Sequence, residues 1–308
     1  MTDQELKQRL KEPFLGAELP GLAEPYRGKV RDSYKVGERR LIVTTDRVSA
    51  FDCVLGTIPF KGQVLNQLTN WWFRQTEDIV ANHLLEEVHP NAIWAREAKP
   101  ILVEVVVRAY LTGSSKTALW TLYEKGEEWR YGVKLSPGLQ KNTPLEQPVV
   151  TPTTKDESDS PLTREQVVEL GLATQEVWDE VQSTALKLFK RGQELAAKAG
   201  LILVDTKYEF GLIDGKVALI DEVHTPDSSR YWVAGSEAQA APLHQDKEVL
   251  RLWLREQGFQ GDGEPPAIPE ELALRLARHY IDTFERLTQT TATAPSEGVQ
   301  EALNGAKL

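Results

Sequence analysis

The sequence predicts a fold that combines β-strands and α-helices, with a β-rich N-terminal part and helices towards the C-terminus. Three observations predict it. Apolar and β-branched residues follow a period of two over residues 30–45. Apolar residues recur with a helical period over residues 177–195, and the period returns to two after Gly200. Amphipathic helical patterns then occupy residues 250–254 and 272–287.

The first strands are predicted to form a hairpin. Residues 30–36 place apolar side chains on one alternating face, Gly37 supplies a turn, and residues 41–45 form the β-branched second strand. Lys29 and Arg31 fall together on the opposite face of the first strand. The hairpin therefore carries a basic edge.

The middle of the chain is predicted as a helix, a strand and a long loop. Residues 66–80 have a helical pattern, and residues 100–111 are an almost continuous apolar run of the kind buried on both faces of a sheet. Residues 136–160 are rich in Pro, Thr and Asp and have no period. A loop of that length inside a compact region is usually functional or disordered.

Two helices are predicted after this loop. Ser160 is assigned as the N-cap of a short helix over residues 162–170, with Pro161 at its first position. Thr174 is assigned as the N-cap of a longer, core-facing helix, which Gly200 ends.

A second hairpin is predicted after the longer helix. Residues 201–210 form its first strand, Asp214-Gly215 is a strong turn signal, and residues 216–222 form its second strand. Three charged side chains share one face of the first strand: Asp205, Lys207 and Glu209. The last 18 residues are predicted as a mobile tail, to which no role is assigned.

The composition favours a small-molecule ligand over nucleic acid or a membrane. The 308 residues contain 36 Lys and Arg against 46 Asp and Glu, which gives a formal charge of −10. That charge repels phosphodiester backbones and anionic lipids. Cys53 is the only cysteine, which suits a reducing compartment, and the sequence has no signal-peptide or membrane-spanning pattern. We therefore expect a cytoplasmic protein.

A first charged cluster runs from Gly28 through Lys29 and Arg31 to Asp32 on the first hairpin. A flap of this kind covers a polyphosphate with backbone N–H groups and places positive charge on its oxygens. The pattern fits neither the Walker A spacing nor the three-glycine dinucleotide fingerprint. A solvated basic strand face therefore stays open as an alternative.

A second charged cluster lies on the second predicted hairpin. Glu209 and Asp221 are predicted to face each other across it, where two close carboxylates without a cation would repel. A divalent ion resolves this conflict, and oxygen-only ligands favour Mg²⁺ or Mn²⁺ over zinc. A surface salt-bridge ladder with Lys207 is the alternative.

A third cluster combines hydroxyl groups with guanidinium groups, a combination that binds anions. Arg108 lies in the buried strand and Ser114 follows it, and Ser229 and Arg230 follow the second hairpin. Together they indicate a phosphomonoester or carboxylate held opposite a metal-bound nucleotide. A turn or a helix cap is the alternative for each.

Five motifs, in order, resemble the SAICAR synthetase family of phosphoribosylaminoimidazole-succinocarboxamide synthases. They occupy residues 28–32, 44–52, 59–66, 105–114 and 205–232, so the resemblance covers most of the chain. It implies an α+β fold related to kinase and ATP-grasp lobes. The implied parts are a β-rich lobe over residues 1–100, a lobe that binds ATP, Mg²⁺ and ribonucleotide over 101–235, a helical segment over 236–290, and a tail over 291–308.

The resemblance implies an ATP-dependent ligase of purine biosynthesis with Mg²⁺ as its cofactor. The enzyme would join the carboxylate of 5-amino-4-carboxyimidazole ribonucleotide (CAIR) to the amine of L-aspartate, giving SAICAR, ADP and phosphate through an acyl phosphate. Phosphorylation turns a carboxylate oxygen, a poor leaving group, into a phosphate leaving group. The oligomeric state stays open.

The resemblance also implies which residues contact ATP and its metal. Lys29 and Arg31 resemble the cationic flap on the ATP phosphates. Glu209 and Asp221 resemble the carboxylates that hold Mg²⁺ next to ATP. The loop from Lys155 to Asp159 resembles the segment that closes on the substrates.

Other positions resemble the ribonucleotide and reaction sites. The ribonucleotide contacts would be Arg108, Ser114, Ser229 and Arg230. Three catalytic residues would lie between the two substrates: Asp52, Asp205 and Lys207. Within this set, Asp205 is our hypothesis for the group that accepts a proton from the aspartate amine.

The chain departs from the family pattern at two positions. Ser115 stands where many relatives carry Gly or Ala, a change that leaves Ser114 in place. Ser158 stands where relatives often carry His in the closing loop. A proton-transfer role for that loop is therefore doubtful, although Asp159 can still help to hold a metal.

Two other functions stay open from the sequence. A small-molecule kinase on the same fold would phosphorylate an acceptor without needing aspartate. A nucleotide-binding scaffold would bind ATP without turnover. A scaffold does not need a cluster of charged side chains that is costly to keep together. The presence of such a cluster therefore speaks against a scaffold: Lys29, Lys207, Glu209 and Asp221.

Overall fold

The computed structural model describes residues 1–19, 21–156, 159–237, 241–296 and 298–305. The strands are β1 Tyr26–Arg27, β2 Arg31–Val36, β3 Arg39–Thr44, β4 Arg47–Ala50, β5 Cys53–Thr57, β6 Leu84–His89, β7 Ala92–Arg96, β8 Lys99–Leu111, β9 Thr143–Thr154, β10 Leu201–Ile213, β11 Lys216–Ile220 and β12 Ser229–Val233. The helices are α1 Asp3–Lys11, α2 Lys61–Thr76, α3 Leu119–Lys125, α4 Arg164–Glu169, α5 Gln175–Lys198, α6 Glu248–Glu256, α7 Glu270–Thr288 and α8 Val299–Gly305.

The strands form two antiparallel sheets and a separate pair. The first sheet has the order β1-β2-β3-β7-β6, and β4 pairs with β5. The second sheet has the order β11-β10-β8-β9, with β12 paired to part of β10. The predicted α+β fold is confirmed. The proposed division into lobes stays a prediction.

The main hydrophobic core lies between the second sheet and the long helices. Helix α5 packs against β8, β9 and β10, and α7 contacts α1 and α2. Trp72, Trp178 and Tyr208 from this core are fully buried. These large side chains have no access to water and hold the second sheet in place. Their packing therefore also fixes the position of the polar residues that the sheet carries. Within the described ranges, no helix combines the length and apolar character that crossing a bilayer requires.

The locally encoded elements are confirmed. Strands β2 and β3 pair across the predicted turn. The Thr174 side chain accepts a hydrogen bond from the Val177 N–H and caps α5, and Gly200 has a left-handed φ of 68° after its end. Asp214 and Gly215 both have positive φ between β10 and β11, as a tight hairpin turn requires.

The loop predicted over residues 136–160 is wrong in its central part, where β9 pairs with β8 along most of its length. Pro144, Pro148 and Pro152 hid this strand, because proline cannot donate to a ladder and argues against a central strand. Strand β9 lies at the edge of the second sheet, where a missing N–H donor is tolerated.

Helix α2 begins at Lys61, five residues before the predicted start, and ends at Thr76. Phe60 precedes it in a left-handed conformation and supplies no side-chain cap. The cap comes instead from Asp46, whose carboxylate accepts a hydrogen bond from the Gly62 N–H at 3.1 Å. A cap from a distant segment leaves no local signal in the sequence.

The short helix α4 also begins later than predicted. Thr163, not Ser160, is its N-cap, and it forms a capping box with Gln166. Pro161 instead makes an isolated bridge to Thr153 of β9. The capping box outweighs the Ser-Pro signal because it satisfies donors at both of its ends.

Part of the predicted mobile tail is an ordered helix, α8. Val299 and Leu303 of this helix are buried with Leu41 and Trp94 of the first sheet. The prediction of a mobile tail is therefore wrong for residues 299–305.

Candidate active site

The first and second predicted charge clusters meet through Arg31. Its guanidinium forms ion pairs with Asp221 and, at 3.1 Å, with Glu222. Burial opposes the charge of Arg31, but these two carboxylates raise its pKa. Asp221 directly follows β11 and has a left-handed φ of 64°. The hairpin β2–β3 is thereby joined to the end of β11.

Glu209 lies between two lysines on the same part of the second sheet. Lys155 and Lys207 both form ion pairs with its carboxylate, the second at 2.9 Å. Burial alone would raise the pKa of Glu209, but the two lysines lower it to about 2. Lys207 also pairs with Glu104 of β8 at 2.7 Å. Glu209 is therefore anionic at neutral pH.

The predicted direct pairing of Glu209 with Asp221 is wrong by one residue. The register of β10 and β11 places Ile220 opposite Glu209, so Asp221 lies one position beyond the strand. Both carboxylates still act on Lys207: against the effect of burial, they raise its pKa well above its usual value. The two acids therefore share one electrostatic site without being direct cross-strand neighbours.

Asp205 lies between two arginines on neighbouring strands. The register places it opposite Arg108 of β8 and opposite Arg230 of β12. Its carboxylate accepts hydrogen bonds from both guanidinium groups, at 3.4 Å from Arg108. All three side chains are less than a tenth exposed. Glu248 of α6 pairs with the other side of Arg230 at 3.3 Å.

The predicted serines lie beside this arginine pair. Ser114 follows β8 and is buried, and its carbonyl oxygen accepts a hydrogen bond from Arg255. Gly113 has a φ of 106°, and a Cβ there would lie 2.6 Å from the Ala118 Cβ, so the turn requires glycine. The same Cβ would be 3.5 Å from Nη2 of Arg230. The glycine thus lets this turn approach the arginine.

Ser229 lies one residue before Arg230 at the start of β12. Its hydroxyl is 2.7 Å from that of Thr206 on β10. The hydroxyl is therefore held next to the strand that carries Asp205.

The flap residue Lys29 forms an ion pair with Asp52 in the turn between β4 and β5. Their side chains are 51% and 70% exposed, so this pair is open to solvent. Burial and the negative charges of Glu104 and Asp52 raise the pKa of Asp159. Asp159 therefore lies close enough to this region to interact with its charges. Ser158 lies outside the described residues.

Two acidic side chains in this site were missed as candidates from the sequence. Glu104 holds Lys207 on β8, and its signal was present as a charged residue inside an apolar strand. Glu248 holds Arg230 from the first turn of α6. No local pattern points to it, because its contact depends on how α6 packs against the second sheet.

The residue types fit a hard cation shared with a ligand better than a complete protein-only metal site. Among the residues that the structure describes, no three His, Cys, Asp or Glu side chains come together as a metal site. Glu209 and Asp221 offer carboxylate oxygens only. Mg²⁺ commonly takes one or two carboxylates and completes its coordination with phosphates and water.

Comparisons with known proteins identify the family of this chain. The sequence profile of the SAICAR synthetase family matches residues 24–266. The chain belongs to the SAICAR synthetase family. It is 48% identical to the phosphoribosylaminoimidazole-succinocarboxamide synthase of Legionella pneumophila strain Paris over 85% of this chain and 87% of the relative. A chloroplastic synthase of Arabidopsis thaliana is 47% identical over 92% of this chain and 71% of the relative.

A solved SAICAR synthetase structure has the same fold. The SAICAR synthase of Saccharomyces cerevisiae, solved in complex with SAICAR, superposes with a TM-score of 0.78 at 31% identity. The superposition covers 91% of this chain and all of the yeast chain. Membership of the family makes this protein an ATP-dependent ligase of purine biosynthesis that forms SAICAR from CAIR and L-aspartate. The kinase alternative is not favoured.

Proposed function

We propose that the two charge clusters on β10 are the two halves of the ligase active site. The observation that carries this proposal is that Asp205, Lys207 and Glu209 share one face of β10. Asp205 contacts the two arginines, whereas Lys207 and Glu209 form an ion pair with each other among the acidic residues. Four residues along a strand span about 13 Å. A ribonucleotide lying along β10 would reach from the arginines with its phosphate to the acidic cluster with its carboxylate.

The acidic half would bind ATP and Mg²⁺. Lys29 and Arg31 supply positive charge from the flap, and Glu209 and Asp221 supply the carboxylate oxygens that hold the metal. When bound, Mg²⁺ neutralises charge on the transferred phosphoryl group. Arg31 already contacts Asp221, so its guanidinium is fixed next to the proposed metal site.

The arginine half would bind the phosphate of CAIR. The guanidinium groups of Arg108 and Arg230 match the geometry of phosphate oxygens, and Ser114 and Ser229 add hydroxyl donors. Asp205 lies between the two arginines and accepts a hydrogen bond from each of them. Asp205 and Glu248 already pair with these arginines, so a phosphate bound there would share the guanidinium donors with the two carboxylates.

The reaction would proceed in two displacements. A carboxylate oxygen of CAIR attacks the γ-phosphorus of ATP, the bond from that phosphorus to the ADP oxygen breaks, and an acyl phosphate forms. The aspartate nitrogen then attacks the acyl carbon, the carbon–oxygen bond to phosphate breaks, and the nitrogen loses a proton. Lys207, held by Glu104 and Glu209, neutralises charge near the transferred group. Asp52 lies on the exposed side for the second substrate, and the segment containing Lys155 and Asp159 closes over both.

An isotope experiment tests this sequence of steps. CAIR labelled with ¹⁸O in its carboxylate is incubated with the protein, Mg²⁺, ATP and L-aspartate. The proposal predicts one ¹⁸O atom in each phosphate released, and SAICAR formation that requires aspartate. Phosphate without label would overturn the acyl phosphate step. ADP release with no amide product would restore the kinase alternative.

A further inference from the structure

Arg47 is a largely buried arginine that the reaction described above leaves without a role. It begins β4, and its side chain is 15% exposed. Its guanidinium donates to three backbone carbonyls and one carboxylate. An arginine that spends its donors on backbone oxygens is fixing the course of the chain rather than waiting for a ligand.

Two of these carbonyls belong to the flap. Arg47 donates through Nη2 to the Gly28 oxygen at 3.1 Å and through Nε to the Lys29 oxygen at 3.2 Å. The next carbonyl, that of Val30, accepts from the N–H and the hydroxyl of Thr45, at 2.9 and 2.6 Å. Three successive flap carbonyls are therefore fixed from the segment at the start of β4.

The other two contacts hold Arg47 itself. Nη1 donates to the Leu15 oxygen at 2.7 Å, and Nη2 donates to Asp32 at 2.6 Å. Asp32 is buried, and a Cβ on Gly16 would lie 2.5 Å from one of its oxygens. Asp32 is thus held in a tight site and directs the guanidinium towards the Gly28 and Lys29 carbonyls.

Apolar packing contributes little to the outer part of the flap. Tyr26, next to it on β1, is 76% exposed, and the Lys29 side chain is half exposed. Val30 packs against the main core, so the hydrogen bonds to the Gly28 and Lys29 carbonyls act on the outer part of the flap beyond that anchor.

We propose that Arg47 is a positioning residue. Its hydrogen bonds fix the position of the flap backbone, and thereby the distance of Lys29 from the ATP phosphates. The inference rests on the proposed function, in which Lys29 contacts those phosphates. A lysine cannot replace Arg47, because one ammonium group cannot reach four acceptors that lie in different directions.

Steady-state kinetics on four variants test the inference. They are Arg47→Lys, Lys29→Met, the double variant, and Arg191→Lys as a matched control. Arg191 lies on α5 and likewise donates to a backbone carbonyl, that of Gln75, and to a carboxylate, that of Asp78. Arg47→Lys should raise the KM for ATP about tenfold and leave the KM values for CAIR and aspartate within about twofold. The double variant should be no worse than Lys29→Met, because both changes act on one contact.

The outcomes separate this inference from the proposal beneath it. If Lys29→Met raises the KM for ATP and Arg47→Lys does not, the role of Arg47 is wrong and the ATP contact stands. If Lys29→Met leaves that KM unchanged, the ATP contact itself is wrong and the inference falls with it. A loss of kcat and melting temperature with all KM values unchanged would make Arg47 merely structural. If Arg47→Lys does not fold, Asp32→Asn replaces it, and a KM for ATP equal to wild type in that variant overturns the inference.

Discussion

Arg31 and Asp221 lie 190 positions apart in the chain and form an ion pair that joins the flap-bearing hairpin to the end of β11. The pair links a proposed phosphate ligand to a proposed metal ligand. The same guanidinium reaches Glu222 with its other nitrogen. ATP and its metal would therefore meet at a place where the two sheets are already held together.

Replacing Arg31 with Lys tests this junction. The ammonium keeps the charge but cannot contact both carboxylates with a planar fork, so we expect the KM for ATP to rise about tenfold. The KM for CAIR should change little, because the arginine pair around Asp205 is intact. Equal rises in both KM values would contradict a local role, and Arg191→Lys serves as the control.

Replacing Asp205 with Asn separates two roles for this carboxylate. The sequence suggested a proton acceptor, but the Asp205 carboxylate already accepts hydrogen bonds from two guanidinium groups. We therefore expect the KM for CAIR to rise at least about tenfold, since Arg108 and Arg230 lose their common partner. Steady-state kinetics with CAIR varied would measure this. A large fall in kcat at an unchanged KM for CAIR would instead support proton transfer.

Replacing Asp46 with Ala should destabilise the fold. Asp46 is fully buried and accepts hydrogen bonds from the Phe14 and Gly62 N–H groups and from the Arg9 guanidinium. Removing it leaves these donors unpaired, which costs about 2 to 4 kcal/mol. Urea denaturation would measure the loss. Asp3 forms an exposed ion pair with Arg278, so the Asp3→Asn control should have the same free energy of unfolding as wild type.

Replacing His224 with Gln should flatten the acid dependence of stability. Burial lowers the pKa of His224 from 6.5 to about 3, whereas the unfolded chain binds this proton near pH 6.5. Below pH 6.5 the unfolded state therefore holds more protons, and the free energy of unfolding falls as the pH decreases. The slope approaches about 1.4 kcal/mol per pH unit for each such histidine.

Urea denaturation at about pH 7 and about pH 5 would measure this change. The variant should lose less stability between these conditions than wild type. It should keep a residual slope from His83, because burial lowers the pKa of that group to about 4. Identical losses in the two proteins would show that His224 does not titrate on unfolding.

The sequence was informative where structure is encoded locally. The turn at Asp214 and the cap at Thr174 each depend on a few adjacent residues, and both are confirmed. Strand β9 was missed because its prolines are compatible only with an edge, and strand order is a property of the whole sheet. The start of α2 was missed because Asp46 caps it from outside the local sequence.

In the candidate site, too, the local features were predictable from the sequence and the long-range contacts were not. Apart from Glu104 and Glu248, the charged residues that gather there were predicted from motifs, but their pairings depend on strand order. Asp205 meets two arginines because β10 lies between β8 and β12, and this neighbourhood has no local signature. The one-residue offset of Asp221 from Glu209 likewise follows from the hairpin register.

The central claim is that Glu209 and Asp221 hold the metal that accompanies ATP. Binding of Mn²⁺ in the presence of a non-hydrolysable ATP analogue, followed by the electron paramagnetic resonance signal of free Mn²⁺, tests it most directly. We predict that Glu209→Gln and Asp221→Asn each weaken Mn²⁺ binding at least about tenfold, and that Asp78→Asn, an exposed carboxylate beside α5, binds like wild type. Wild-type Mn²⁺ affinity in both site variants would contradict the claim.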